Sequence, residues 1–317
     1  MKCRLQNRKY IRETDGSIAA FICNTPLVQL RQIYSDSPVQ ILAKLEGNNP
    51  GGSIKDRTAY AMIEKAEQAG DLVPGKTIIE PTSGNTGIAI AMIGAVKGYQ
   101  VKLFMPECVS VERRLILEAY GAEAVLTPAA EGVDGAIRRA HEALEAEPER
   151  YYMPNQFDNP ANTLAHYETT GPEIYRQADG HIDVFIAGMG TTGTLIGTGR
   201  YLKEKIPGLR VIGVEPTVGH AIQGLKNLTE SRVPGIYDPT GFDEKITVED
   251  NDAFDMSRCL AMREGIFTGM SSGAAVAGAL KIAQTMKSGT IVTILPDRGD
   301  RYLSTTLFRS ICGRCPP

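Results

Sequence analysis

Residues 48–57 read "NNPGGSIKDR", a glycine-, proline- and asparagine-rich loop that gives way to a helical pattern at Lys55. Ser53 is placed to cap that helix, and Asp56 three residues later would complete a capping box. Lys55 then falls in the first helical turn, where the helix dipole disfavours an ammonium and favours the neutral amine. A neutral lysine amine can attack a carbonyl or rest as an imine, and lysine is the side chain whose pKa shifts most readily for that use.

Three further loops carry chemistry. "EPTSGNTG" (80–87) gathers the hydroxyls of Thr82, Ser83 and Thr86, the Asn85 amide and Gly84 where a helix begins. Free backbone N–H groups and hydroxyls there suit an anion, most simply a carboxylate. "GMGTTGT" (188–194) fits the dinucleotide fingerprint at Gly188, Gly190 and Gly193, and Glu215 stands where a ribose-binding acid would belong. Yet Thr191, Thr192 and Thr194 add hydroxyls that suit a phosphate monoester better than a pyrophosphate, which needs close backbone approach more than side chains. "GMSSGAA" (269–275) matches the G-x-S-x-G elbow at Ser271. All four histidines, His141, His166, His181 and His220, precede that serine, against the hydrolase order. Ser271 and Ser272 also read as a helix cap. No His/Cys cluster has metal-ligand spacing.

These loops need elements to hold them. Short apolar runs alternate with helical patterns: "TIIE" (77–80), "VKLFMP" (101–106), "EAVLTP" (123–128), "IDVFIAG" (182–188), "RVIGVEP" (210–216) and "TIVTILP" (290–296). That alternation predicts an α/β protein with mostly parallel sheets flanked by helices, and ligands at the carboxyl ends of the strands. A change in composition at "NQFDNPAN" (155–162) suggests a lobe boundary.

The chain has 317 residues, 42% apolar and 22% charged, with net charge −3, which argues against general nucleic-acid affinity. No apolar run approaches the roughly 18 residues of a membrane span. The start, "MKCRLQNRKYIRE", reads as a basic arm rather than a secretory leader. Six cysteines are too sparse for a disulfide scaffold and favour a reducing, cytoplasmic setting. Cys312 and Cys315 form a C-x-x-C pair on a terminal tail without the βαβ context of a redox motif.

Taken in order, "NNPGGSIKDR", "EPTSGNTG", "NQFDNPANTLAHYETTGPEI", "GMGTTGT", "GIFTGMSSGAAVAGAL" and "DRGDRYLST" resemble the fold-type II pyridoxal-phosphate enzymes, and within them O-acetylserine sulfhydrylase (cysteine synthase), B-type, from about Asn24 to Phe308. The resemblance implies a tryptophan synthase β-like fold. A smaller mobile lobe would span 47–160, and a larger lobe of 1–46 plus 161–317 would hold the cofactor phosphate. Lys55 stands at the Schiff-base lysine and general base, and Asn85 at the amide on the cofactor's ring hydroxyl. Gly190, Thr191, Thr192, Gly193 and Thr194 stand at the phosphate cup, and Ser271 at the partner of the pyridine nitrogen. Thr82, Ser83, Gly84, Thr86 and Gln156 stand at the substrate carboxylate pocket. Lys226 lies in a segment over the pocket mouth, where related enzymes carry an arginine. The implied reaction is replacement of the acetoxy group of O-acetylserine by sulfide or thiosulfate, in a homodimer. The resemblance leaves serine acetyltransferase binding open. O-phosphoserine sulfhydrylase, cystathionine β-synthase-like and serine/threonine deaminase activities are the nearest alternatives, and a nicotinamide dehydrogenase a more distant one.

Overall fold

The structure is a computed structural model that describes residues 16–82, 84–107 and 109–308. The basic arm and the Cys312/Cys315 pair lie outside the described residues. Strands β1 (Leu27–Gln29) and β2 (Val39–Leu45) lead into helix α1 (Lys55–Ala69). Then come β3 (Thr77–Pro81), α2 (Asn85–Lys97), β4 (Gln100–Pro106), α3 (Val111–Ala119), β5 (Glu123–Thr127), α4 (Gly132–Ala146) and β6 (Tyr151–Tyr152). The chain continues through α5 (Pro160–Ala165), α6 (Gly171–Gln177), β7 (Val184–Gly188), α7 (Gly193–Lys205) and β8 (Arg210–Pro216). It ends with β9 (Glu244–Val248), α8 (Asp250–Cys259), α9 (Met270–Ala283) and β10 (Gly289–Leu295).

Two sheets result, ordered β1-β2-β10-β7-β8-β9 and β5-β4-β3-β6. All pairings are parallel except β1 with β2. The six apolar runs of the sequence are β3, β4, β5, β7, β8 and β10. Four strands were not visible in the pattern, for separable reasons. β1 and β6 are short edge strands of 3 and 2 residues. β9 is a charged edge with only Val248 buried. β2 lies inside the sheet but carries Lys44, which is fully buried and donates to Thr25 O, Glu173 Oε2 and Gln177 Oε1 at 2.6–2.8 Å. A lysine breaks an apolar run in sequence; a fully paired lysine does not break a strand.

The helices in the middle of the layers are apolar on every side. α2 buries Ile88, Ile90 and Ile93, and α9 buries residues from Met270 to Ala283 almost without interruption. Each such isoleucine contributes about 1.5–3 kcal/mol over leaving it in water. The result is two rigid helices whose first turns end at the carboxyl edges of the sheets. Those first turns carry Asn85 and Ser271.

Candidate active site

The loop before Lys55 turns through Gly52, whose φ of +81° is left-handed. The Ile54 N–H is tied to Pro296 O at 2.8 Å. The expected capping box does not form. Ile54 occupies the cap position, and Ser53 Oγ accepts from Lys55 N at 3.2 Å, while Asp56 turns back to accept the Gly51 N–H at 2.5 Å. The two short side chains find nearer backbone donors in the glycine loop than the box would offer. Burial pushes the Lys55 amine down from 10.5 to about 8. Burial thus moves Lys55 toward the neutral amine expected from the sequence, and desolvation rather than the helix dipole is the cause.

Lys55 lines an open cleft that encloses about 530 Å³ when counted out to its mouth. Asn85, Gly190, Thr191, Thr192, Thr194 and Ser271 share that wall, although with Lys55 they come from four separate loops. Asn85 is the first residue of α2; its Nδ2 donates to Asp297 and its Oδ1 accepts from Arg301, each at 2.6 Å. Ser271 is buried in the first turn of α9. It is not a helix cap, and neither is Ser272: Gly269 holds the cap position, with no side-chain bond. Of the apolar parts of the wall, Ala187, Ile294 and Pro296 lie at strand ends, while Ile54 caps α1 and Leu225 lies in the loop between β8 and β9, with no signal in the sequence.

Residues 189–194 form a cup at the start of α7. Thr192 adopts φ +70°, rare for a β-branched residue, and its buried Oγ1 has no hydrogen-bond partner. Asn162 Nδ2 donates to Thr191 Oγ1 at 3.1 Å, and Thr194 Oγ1 meets His166 Nε2 at 3.2 Å. A Cβ on Gly190 would sit 2.5 Å from Gly224 O, and one on Gly193 would collide with Asn162 Oδ1. The cup is therefore closed on its protein side and offers hydroxyls and a helix N-terminus on the other. An unpaired buried hydroxyl at such an end fits a phosphate group. With a lysine amine held near neutrality across the same cleft, the donor set fits pyridoxal phosphate.

A second group of predicted residues stands beside this wall without lining it. Thr86 Oγ1 donates to Gln156 Oε1 at 2.6 Å, and Thr82 Oγ1 accepts the Gly84 N–H at 3.3 Å. Ser83 lies outside the described residues. Lys226 also does not line the cleft; its Nζ lies 4.7 Å from the centre of the Phe157 ring, and burial lowers its pKa. Glu215, the would-be ribose acid, accepts the Leu228 N–H at 3.0 Å and pairs with Lys245 at 2.7 Å. It braces the edge of a sheet and is absent from the cleft wall.

Glu80, unnoticed in the sequence, holds Gln156. Its two oxygens accept the N–H groups of Asn155 at 2.8 Å and Gln156 at 3.0 Å. Burial raises its carboxyl from 4.5 to about 7, against the pull of those two bonds. Asp56 is raised to about 7 as well, again by burial. A carboxyl raised on folding binds more protons in the folded chain between these values, so stability falls as pH rises from about 4.5 to about 7. Glu80→Gln is expected to flatten that fall by on the order of 2 kcal/mol, read as the unfolding free energy in urea at both ends of the window. An unchanged slope would assign the fall elsewhere.

The sequence model of the family described as pyridoxal-phosphate dependent enzyme matches residues 18–297, and the chain belongs to that family. Among its members, cysteine synthase B of Salmonella typhimurium is 48% identical over 287 residues, covering 90% of this chain and 94% of the relative. Cysteine synthase of Staphylococcus aureus (strain Mu50) is 46% identical over 301 residues, covering 92% and 96%. Among solved structures, cysteine synthase from Entamoeba histolytica superposes with a TM-score of 0.88 at 41% identity, covering 96% of this chain and 93% of that one. O-ureido-L-serine synthase superposes with a TM-score of 0.89 at 41% identity, covering 95% and 97%.

Proposed function

We propose that the chain is a cysteine synthase, replacing the acetoxy group of O-acetyl-L-serine by sulfide to give L-cysteine and acetate. The convergence of Lys55, Asn85, Gly190, Thr191, Thr192, Thr194 and Ser271 on one cleft carries this reading. The high identity to cysteine synthases over nine-tenths of the chain supports the choice of substrate. When bound, pyridoxal phosphate supplies an electron sink that loosens the α-proton and the β-substituent of an amino acid attached to it.

The protein residues divide the remaining work. Lys55 would hold the cofactor through Nζ, and its amine, lowered to about 8 by burial, would serve as the general base for the proton on the substrate's Cα. The hydroxyls of Thr191, Thr192 and Thr194 and the N-terminus of α7 hold the phosphate. Ser271, neutral where an aspartate would stabilise a proton on the ring nitrogen, keeps the sink shallow, which suits expulsion of a β leaving group. Thr82, Ser83, Gly84 and Thr86 hold the substrate carboxylate with Gln156, whose turn Glu80 braces. Lys226, beside Phe157, supplies a positive charge for an anionic sulfur donor such as thiosulfate.

The lobes divide at 47–160 against 1–46 plus 161–317, consistent with β3 to β6 all falling inside the first range. Homodimerisation and a cytoplasmic setting belong to the same proposal. The unpaired thiols of Cys23 and Cys259 support a reducing compartment. No helix among the described residues is long and apolar enough to cross a membrane. The test is product analysis of purified holoenzyme. Cysteine and acetate should form in equal amounts from O-acetylserine and sulfide, and faster than from O-phosphoserine or with homocysteine as acceptor. Faster turnover of either alternative would replace this reading.

A further inference from the structure

Asp297 touches the supports of three cleft groups at once. Its main chain forms a β-bridge with Ser53, two residues before Lys55. Its Oδ2 accepts from Asn85 Nδ2 and from the Tyr302 hydroxyl, both at 2.6 Å. Its Oδ1 has no hydrogen-bond partner and packs against Gly269, where an added Cβ would collide with it; Gly269 precedes the helix that carries Ser271. The side chain is 1% exposed. Four residues on, Arg301 donates Nη1 to Asn85 Oδ1 at 2.6 Å and Nη2 to Gly51 O.

A side-chain amide has two ends of nearly equal shape, and it can turn end for end unless its partners differ. Here they differ as much as they can. A carboxylate faces the NH2 and a guanidinium faces the oxygen. Turning the amide would set N–H groups against the guanidinium and oxygen against the carboxylate, two like-pole contacts in a part-buried setting. Each end also keeps spare capacity, one N–H on Nδ2 and one lone pair on Oδ1.

We propose that Asp297, with Arg301, is a positioning residue for the reaction: the pair fixes the Asn85 amide so that the remaining Nδ2 N–H is presented to the cofactor's ring oxygen. This rests on the reading of Asn85 as a cofactor contact. Asp297 acts through Asn85, and touches neither substrate nor cofactor itself.

The test compares four holoenzymes with wild type: Asp297→Asn, Asp297→Ala, Asn85→Ala, and Asp297→Asn combined with Asn85→Ala. Readouts are the visible absorbance maximum of bound cofactor, the rate of cofactor release, and kcat with KM. Asp297→Asn, which keeps the side chain's shape, should shift the absorbance band, speed cofactor release about tenfold and lower kcat between about 10-fold and 100-fold. Asp297→Ala should do the same or more. The double variant should match Asn85→Ala within about twofold, because a residue that works through a partner adds nothing once the partner is gone. Wild-type spectra in both Asp297 variants, or losses that multiply in the double variant, would overturn the proposal. A wild-type protein that shows no cofactor band when loaded would instead strike the reading beneath it, and this proposal with it.

Discussion

Lys55→Ala is expected to lower kcat/KM roughly ten-thousand-fold, the scale on which a covalent anchor and general base are lost together. The protein should nevertheless fold. Lys55 is only part-buried by area, and its pKa falls to about 8 because burial penalises the charged form. A base whose pKa drops on folding costs stability in full below the folded value, and the cost fades as pH rises from about 8 to 10.5. Near neutral pH the alanine variant, stripped of cofactor, should therefore match or exceed wild type stripped in the same way, by on the order of 1 kcal/mol. Activity lost with stability kept or gained is the signature of a functional lysine. A variant that retains activity, or one that loses activity only by unfolding, would remove Lys55 from its role.

Arg57→Met, two residues further along α1, is expected to behave in the opposite way. Arg57 is fully buried and makes a double pairing: Nε and Nη2 to Glu46 at 2.7 and 2.8 Å, and Nη1 and Nη2 to Glu173 at 2.8 Å each. Lys44 reaches Glu173 at 2.7 Å from the other side. Burial alone would raise the Glu173 carboxyl, but Arg57 and then Lys44 outweigh it and hold it at about 2. Methionine would fill the space, leave Glu173 with Lys44 alone, and strip buried Glu46 of the guanidinium it pairs with. Breaking such a network by removing one partner costs about 3–5 kcal/mol, a large share of the ~5–15 kcal/mol that holds a domain folded. Urea denaturation should show the loss as a lower midpoint at unchanged slope, with activity surviving in whatever fraction remains folded. A loss under about 1 kcal/mol would mean that the cluster is solvated in practice.

The contrast between these residues shows what the sequence can disclose. That Lys55, Asn85 and Ser271 line one cleft was foreseeable because each sits where a loop enters a helix, and polar residues there exceed what a turn requires. The cup at 190–194 was legible for the same reason, though its glycines fit a dinucleotide loop equally well until Glu215 proved to be paired with Lys245. Strand-helix alternation disclosed six of the ten strands among the described residues. The insertion of β10 between β2 and β7 was not disclosed, since partners 250 positions apart (Gly289 and Val39) and 107 positions apart (Ile291 and Val184) leave no local trace. Lys44 hid β2, and only the positions of Glu173 and Gln177 explain why a lysine can lie there. Asp297 and Arg301 were quoted as part of a motif, but their grip on Asn85, 212 and 216 residues away in the chain, exists only in the fold. Local chemistry was readable, while the second layer that orients it was not.

Borohydride reduction of the cofactor-loaded protein, followed by digestion and peptide mass mapping, tests the central claim most directly. The account predicts a reduced pyridoxyl phosphate adduct on the peptide containing Lys55, and on that lysine alone. An adduct on another lysine, or none on fully loaded protein, would contradict it.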